Sequence, residues 1–254
     1  MAFKNILLEK KDEVAKVIIN KPPLNILDIA TLEEMNQALA ELRTDDEVKV
    51  VVITGAGEKA FSAGVSVGDH LGEQLPKMVE VFHRLFTSLV EVDKPTIAVV
   101  NGLALGGGCE IVAGCDMAIA KEGAQLGQPE VKLGVYPPPA SVLFPRIMGR
   151  RKAFELILSG DSISAREAER IGLINKAVPD NEFEKATGEF IKRFTSNSGL
   201  TLTQARRALY RNFDLDFNQA LEVTGADATM VMAQENSVEG LKAFLEKRKP
   251  VWIR

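Results

Sequence analysis

Three short runs, Val48 to Thr54, Thr96 to Val100 and Met117 to Ala120, are apolar along almost their whole length, and the first is a β-branched run. A strand that alternates in polarity can leave one face in water. A strand that is apolar throughout must be covered on both faces, as in the parallel sheets of α/β proteins. Between the first two runs, residues 76–91 carry Val79, Phe82, Phe86 and Leu89 at helical spacing. The chain is thereby constrained to a layered strand–helix–strand build over its first half.

Other segments fit round this frame. Residues 3–8 and 13–19 read as strands flanking the turn at Lys11-Asp12-Glu13, and the prolines at 22 and 23 mark a loop. Thr31, three residues before Glu34, predicts a capping box for a helix whose apolar stripe is Leu32, Met35, Leu39 and Leu42. Beyond about residue 145 the pattern is helical: Ser164 and Glu167 form another capping box, and 181–195, 201–211, 216–235 and 238–247 have helical spacing. With 46% hydrophobic and 26% charged residues, the 254-residue chain can bury a core and is neither disordered nor fibrous.

A net charge of −4 argues against a broad nucleic-acid surface. Cys109 and Cys115 cannot build a disulfide framework and suit a reducing, cytoplasmic compartment. Two histidines, His70 and His83, leave little material for a metal site or a His-based triad. The start MAFKNILLEKK has no apolar signal region, and no run is long enough to span a membrane.

Three segments can carry chemistry. Lys59-Ala-Phe-Ser-Ala-Gly64-Val65 follows a buried strand, and its small residues would let a ligand approach the backbone; it could equally be a tight surface turn. Asn101-Gly-Leu-Ala-Leu-Gly-Gly-Gly-Cys-Glu110 puts glycines between a strand and a helix start, where free N–H groups stabilise negative charge. Gly107 and Glu110 lie within one helical turn, so a donor and a carboxylate would face one substrate; the plainer reading is a close helix–sheet contact. Gly127-Gln-Pro-Glu130 supplies a second carboxylate, which alone would be a solvated loop charge. If it meets Glu110, the pair can do acid–base work. Cys109 as a nucleophile is outweighed by its reading as a small buried residue. The basic tail, Lys242, Lys247, Arg248, Lys249 and Arg254, is either a solvated helix end or a binding site for a polyanionic group.

Together, and in this order, these segments resemble the enoyl-CoA hydratase (crotonase) family. Cys115-Asp116, Gly160-Asp161 with Ile163-Ser-Ala165, and Phe244-Leu-Glu-Lys-Arg-Lys249 extend the likeness from about residue 12 to the C-terminus. The resemblance implies an α/β fold: a crotonase (ClpP-like) β-β-α spiral core with the acyl-CoA site over 1–195, and a C-terminal helical trimerisation region over 196–254. It implies a homotrimer or homohexamer, an acyl-CoA substrate, and no cofactor, since coenzyme A belongs to the substrate. It also implies roles. Val65 and Gly107 would form the oxyanion hole, and Glu110 and Glu130 would act on one water. Lys59, Ala63, Val65 and Val67 would bind CoA, joined by Phe244 and Lys247 from a neighbouring subunit.

Two stretches depart from the family. Gly68 stands where a lysine near CoA is common, within Val65-Ser-Val-Gly-Asp-His70. Tyr136-Pro137-Pro138-Pro139-Ala140 replaces a glycine-rich run. Prolines fix φ and remove donors, so His70, Tyr136 and Pro137 to Pro139 are expected to line a stiff acyl pocket. Such a wall suits a bulky or rigid acyl group, and the run is similar to that of hydratases acting on cyclohexa-1,5-diene-1-carbonyl-CoA in anaerobic aromatic degradation. The alternatives are a linear short-chain enoyl-CoA hydratase of β-oxidation, an isomerase or acyl-CoA hydrolase on the same scaffold, or an RNA- or partner-binding protein.

Overall fold

The computed structural model describes residues 3–253. Arg254 of the basic tail lies outside them. The hairpin β1 (Ile6–Lys11) and β2 (Val14–Ile19) leads into α1 (Ile29–Arg43). The chain then repeats one unit three times. β3 (Val50–Gly55) and β4 (Ala60–Ser62) precede α2 (Leu75–Glu91). β5 (Thr96–Val100) and β6 (Leu103–Leu105) precede α3 (Gly107–Gly114). β7 (Met117–Lys121) and β8 (Gln125–Gly127) precede a 3₁₀ turn (Pro129–Leu133) and α4 (Pro138–Met148). α5 (Arg150–Ser159), β9 (Ser162–Ser164), α6 (Ala165–Arg170), β10 (Lys176–Val178) and α7 (Phe183–Thr195) complete the core. Helices α8 (Gly199–Asn212), α9 (Phe217–Met232) and α10 (Glu235–Leu245) follow.

Each coil gives one strand to each of two sheets. The larger sheet has the order β1-β2-β3-β5-β7-β10, antiparallel only at β1–β2; the smaller is β4-β6-β8-β9, antiparallel only at β8–β9. This is the β-β-α spiral. The uniform hydrophobicity of the central strands is explained by their surroundings. Val51, Ile53, Ala98 and Val100 face the main core, which includes α1 and α2. Val50, Val52, Ile97 and Val99 face Phe183, Phe190 and Ile191 of α7. Among the described residues no helix is long and apolar enough to cross a membrane.

Two local expectations are corrected. Thr31 does not cap α1. Asp28 does, accepting the Thr31 N–H at 2.9 Å, because its carboxylate sits at the helix entry and also takes the Thr31 hydroxyl. Glu34 instead collects the N–H groups of Lys4, Asn5 and Ile6, fastening the start of the chain to α1. On α2 the buried stripe is Met78, Val81, Phe82, Leu85 and Leu89, while Val79 turns to solvent. Both sets step by three and four residues and share Phe82 and Leu89, so spacing alone does not choose between them; the observed stripe adds Met78, Val81 and Leu85 on the buried side. Ser164 caps α6 as expected. Helicity begins at Pro138, before residue 145, because proline is at home in a helix's first turn.

One buried junction ties the C-terminal helices to the core. Arg206 of α8 donates to Asp116 Oδ2 at 2.7 Å and to the Leu89 and Val90 carbonyls at 2.6 Å each. Asp116 also accepts from Thr96 N (2.7 Å) and Tyr210 Oη (2.6 Å). Removing Arg206 leaves a half-buried carboxylate without its cation and two carbonyls without their donor. Arg206→Ala is therefore expected to cost about 3 kcal/mol, seen as a lowered midpoint of urea or thermal unfolding. A wild-type midpoint would show the junction to be dispensable.

Candidate active site

The site forms where the C-terminal ends of β4, β6 and β8 lie side by side. Leu27 pairs with Val65 in a parallel bridge, with Leu27 N donating to Gly64 O (3.0 Å) and Ser66 N to Leu27 O (2.9 Å). In such a bridge the flanking residues make the bonds, and the central N–H points away. Val65 N–H is thus turned towards α3. Gly107 opens α3, where N–H groups have no partner within the helix. Among the described residues neither N–H meets an acceptor.

The three glycines before Glu110 each answer a contact. Gly106 has φ +51° and ψ −127°, and a Cβ there would stand 2.7 Å from Glu130 Oε1. A Cβ on Gly107 would lie 2.7 Å from Val65 Cγ2, 3.1 Å from the Phe82 ring and 3.3 Å from Val65 N. A Cβ on Gly108 would lie 2.3 Å from the Ser62 carbonyl. The backbones of the first and second coils therefore touch, with two free N–H groups at the contact.

Both carboxyls reach this place. Glu110, 2% exposed, stands on the first turn of α3 and accepts the Ala140 N–H of α4 at 2.8 Å. Glu130 stands on the 3₁₀ turn beside Gly106. In the orientation that satisfies both groups, the buried Gln128 amide donates to both Glu130 oxygens at 3.0 Å. Burial pushes the Glu110 carboxyl up to about 8; the Ala140 N–H opposes the rise and the Glu130 charge adds to it. Burial likewise pushes Glu130 up to about 7, against a bond from its own N–H. Gln128 donation also favours the Glu130 anion. Cys109, fully buried, has its thiol raised well above the usual range by burial, which makes it a packing residue.

The remaining expected residues are distributed as follows. Lys59 is exposed, and its carbonyl accepts from Leu103 N. Ala63 is half-buried and donates its N–H to Leu24, while Val67 is exposed. His70 uses Nδ1–H to hold the Ser66 carbonyl at 2.8 Å, in its own turn. Phe244 and Lys247 are exposed at the end of α10. The prolines form a helix start: Pro137 precedes α4, Pro138 and Pro139 are its first residues, and Tyr136 is 66% exposed. Gln128, Ala140 and Phe82 at the site were not singled out by sequence. Gln128 lies inside a motif already noted, and Ala140 is the first residue after the prolines to carry an N–H. Among the described residues no cluster of three or more His, Cys, Asp or Glu could hold a metal.

The profile of the family described as enoyl-CoA hydratase/isomerase matches residues 9–254, and the chain belongs to that family. It is 37% identical to the short-chain-enoyl-CoA hydratase of Clostridium acetobutylicum, covering 98% of this chain and 97% of that one. It is 35% identical to the crotonyl-CoA hydratase of Syntrophomonas wolfei, covering 100% and 99%. The crystal structure of an enoyl-CoA hydratase from Bacillus anthracis superposes with a TM-score of 0.94 at 33% identity, over 98% of this chain and 99% of that one.

The raised Glu110 pKa links to stability. The native state keeps this proton up to about pH 8, whereas the unfolded chain releases it near 4.5. The group's contribution is thus fully present below pH 4.5 and is lost as pH rises through 8. Glu110→Gln, which retains an acceptor for Ala140, is expected to gain on the parent by about 3 kcal/mol between pH 5 and pH 9. Unfolding midpoints across that range check it; a constant difference between the two proteins would contradict a buried titrating carboxyl.

Proposed function

We propose that the protein adds water across the Cα=Cβ bond of a short-chain 2-enoyl-CoA thioester. The observation that carries this is the convergence of two proton-holding carboxyls on a pair of free N–H groups. The thioester oxygen accepts from Val65 N–H and Gly107 N–H. Water oxygen bonds to Cβ, and its proton passes to the ionised carboxylate. The π electrons move into the thioester, whose enolate oxygen the two N–H groups stabilise. The other carboxyl gives its proton to Cα as the carbonyl re-forms. The pair starts and ends with one proton, which finishes on the opposite carboxyl and passes back through solvent water before the next turnover; no cofactor is needed. Preorganised donors of this kind are each worth about 10²–10³ in rate.

The substrate's CoA runs along Lys59 and the backbone of 63–67, with Ala63, Val65 and Val67 beside it. Phe244 and Lys247 come from a neighbouring copy in a homotrimer or homohexamer. That assembly through the 196–254 region is supported by α9, in which no residue is buried, with exposed Phe217 and Leu221 on it and exposed Phe213 just before it. The unpaired Cys109 and Cys115 support a reducing, cytoplasmic setting. The names of the C. acetobutylicum and S. wolfei relatives support a short linear acyl group.

Glu110→Gln and Glu130→Gln are each expected to lower kcat by about 10³ or more with little change in CoA binding. Near-parental turnover in either would remove that residue from the mechanism. The parent kcat/KM should be bell-shaped, with limbs near pH 7 and 8 that belong to the pair. Incubation with crotonyl-CoA and with cyclohexa-1,5-diene-1-carbonyl-CoA, followed by mass, identifies the substrate. A water-mass gain chiefly on crotonyl-CoA is expected. A gain only on the diene would restore the rigid-pocket argument, unchanged mass with a moved double bond would mean isomerisation, and free CoA would mean hydrolysis.

A further inference from the structure

Helix α4 begins with two residues that have no N–H. In most helices the first N–H groups lack partners and point out of the N-terminus. An oxygen acceptor placed there takes the N–H of the second or third residue. In α4 the first two residues are Pro138 and Pro139. The third, Ala140, donates to Glu110 Oε1 at 2.8 Å, and Ser141 N–H turns back to the Pro137 carbonyl at 3.0 Å. The helix end therefore offers Glu110 a single donor, and the described residues bring this carboxyl no other hydrogen-bond donor.

We propose that Pro138 and Pro139 are positioning residues for the Glu110 carboxyl: by withholding two N–H groups, they leave one oxygen held by Ala140 and the other free. A bare alanine or glycine start would let the second-position N–H reach the same carboxyl. Both oxygens would then be engaged, and the anion would be favoured over the acid. The free oxygen is the one that can hold or pass a proton; its use on water and Cα rests on the hydratase reading, whereas the donor count does not. The other titratable groups facing Glu110 are Glu130, from the 3₁₀ turn, and the Cys109 thiol beside it on α3. α4 brings no titratable group before Arg146.

The test restores the missing donor with Pro139→Ala in the full-length protein. The upper limb of the kcat/KM pH profile is expected to move down by about half a unit to one unit, with KM for crotonyl-CoA nearly unchanged. Pro138→Ala, one position further from the bond, should move it less. An unmoved limb in Pro139→Ala would overturn the proposal. A second readout needs no turnover: the stability gained at pH 9 by Glu110→Gln should shrink when Pro139→Ala is also present. An equal gain in both backgrounds would overturn the proposal even if the parent hydrates neither acyl-CoA, a result that would separately sink the hydratase reading. Should Pro139→Ala fail to fold, Pro138→Ala is read by the same stability gain, and no shrinkage there would count against the proposal.

Discussion

The contact between the backbones of the first and second coils governs the rest of the molecule. With Gly108 against the Ser62 carbonyl and Gly107 against Val65, there is no room for a methyl group between them. Hydrogen bonding reinforces the approach: Gly106 N–H reaches the Gly127 carbonyl at 2.9 Å, so the third coil is drawn to the same point. A larger residue at these positions would separate the strands, part the two free N–H groups and move Glu130 away. The small sheet is thus the frame of the site, although its parallel strands are only three residues long.

The electrostatics of the site follow from that closeness. Glu110 gains hydrogen-bond support from one backbone group while losing nearly all contact with water, and Glu130 is near enough to oppose its ionisation. Such an arrangement holds a proton at neutral pH, where an exposed glutamate would not. The cost falls on stability, and the wide apolar packing on both faces of the larger sheet offsets it. The Arg206–Asp116 junction uses the opposite design: its carboxylate accepts several donors and its guanidinium meets two helix-end carbonyls, which serves cohesion.

Much of this was legible in the chain. The central strands were readable because burial on both faces leaves an unbroken apolar run, and Thr96–Val100 is found as expected. The glycine run and the two glutamates were visible as motifs, and family resemblance supplied their partnership. Strands of three residues left no period to detect, so β4, β6, β8, β9 and β10 were not read individually. The Thr31–Glu34 pair followed the rule for a capping box, but Asp28 lay closer to the helix entry and Glu34 was claimed by the N-terminal strand. Gln128 and Ala140 act across the fold, through contacts that local spacing does not encode. The proline run was conspicuous, yet its meaning depended on which carboxyl lay beyond the helix end.

The coiled build also bears on how the chain comes to be active during synthesis. Val65, Gly107, Glu130 and Ala140 come from successive turns, and each parallel pairing waits for the helix that crosses between its strands. Such long-range pairings close late and slowly. A nascent chain halted before β8 would hold the donor pair but lack both Glu130 and the N–H that steadies Glu110. The site can exist only when the third coil has closed, so an assembled site is itself a certificate that all three coils are in place.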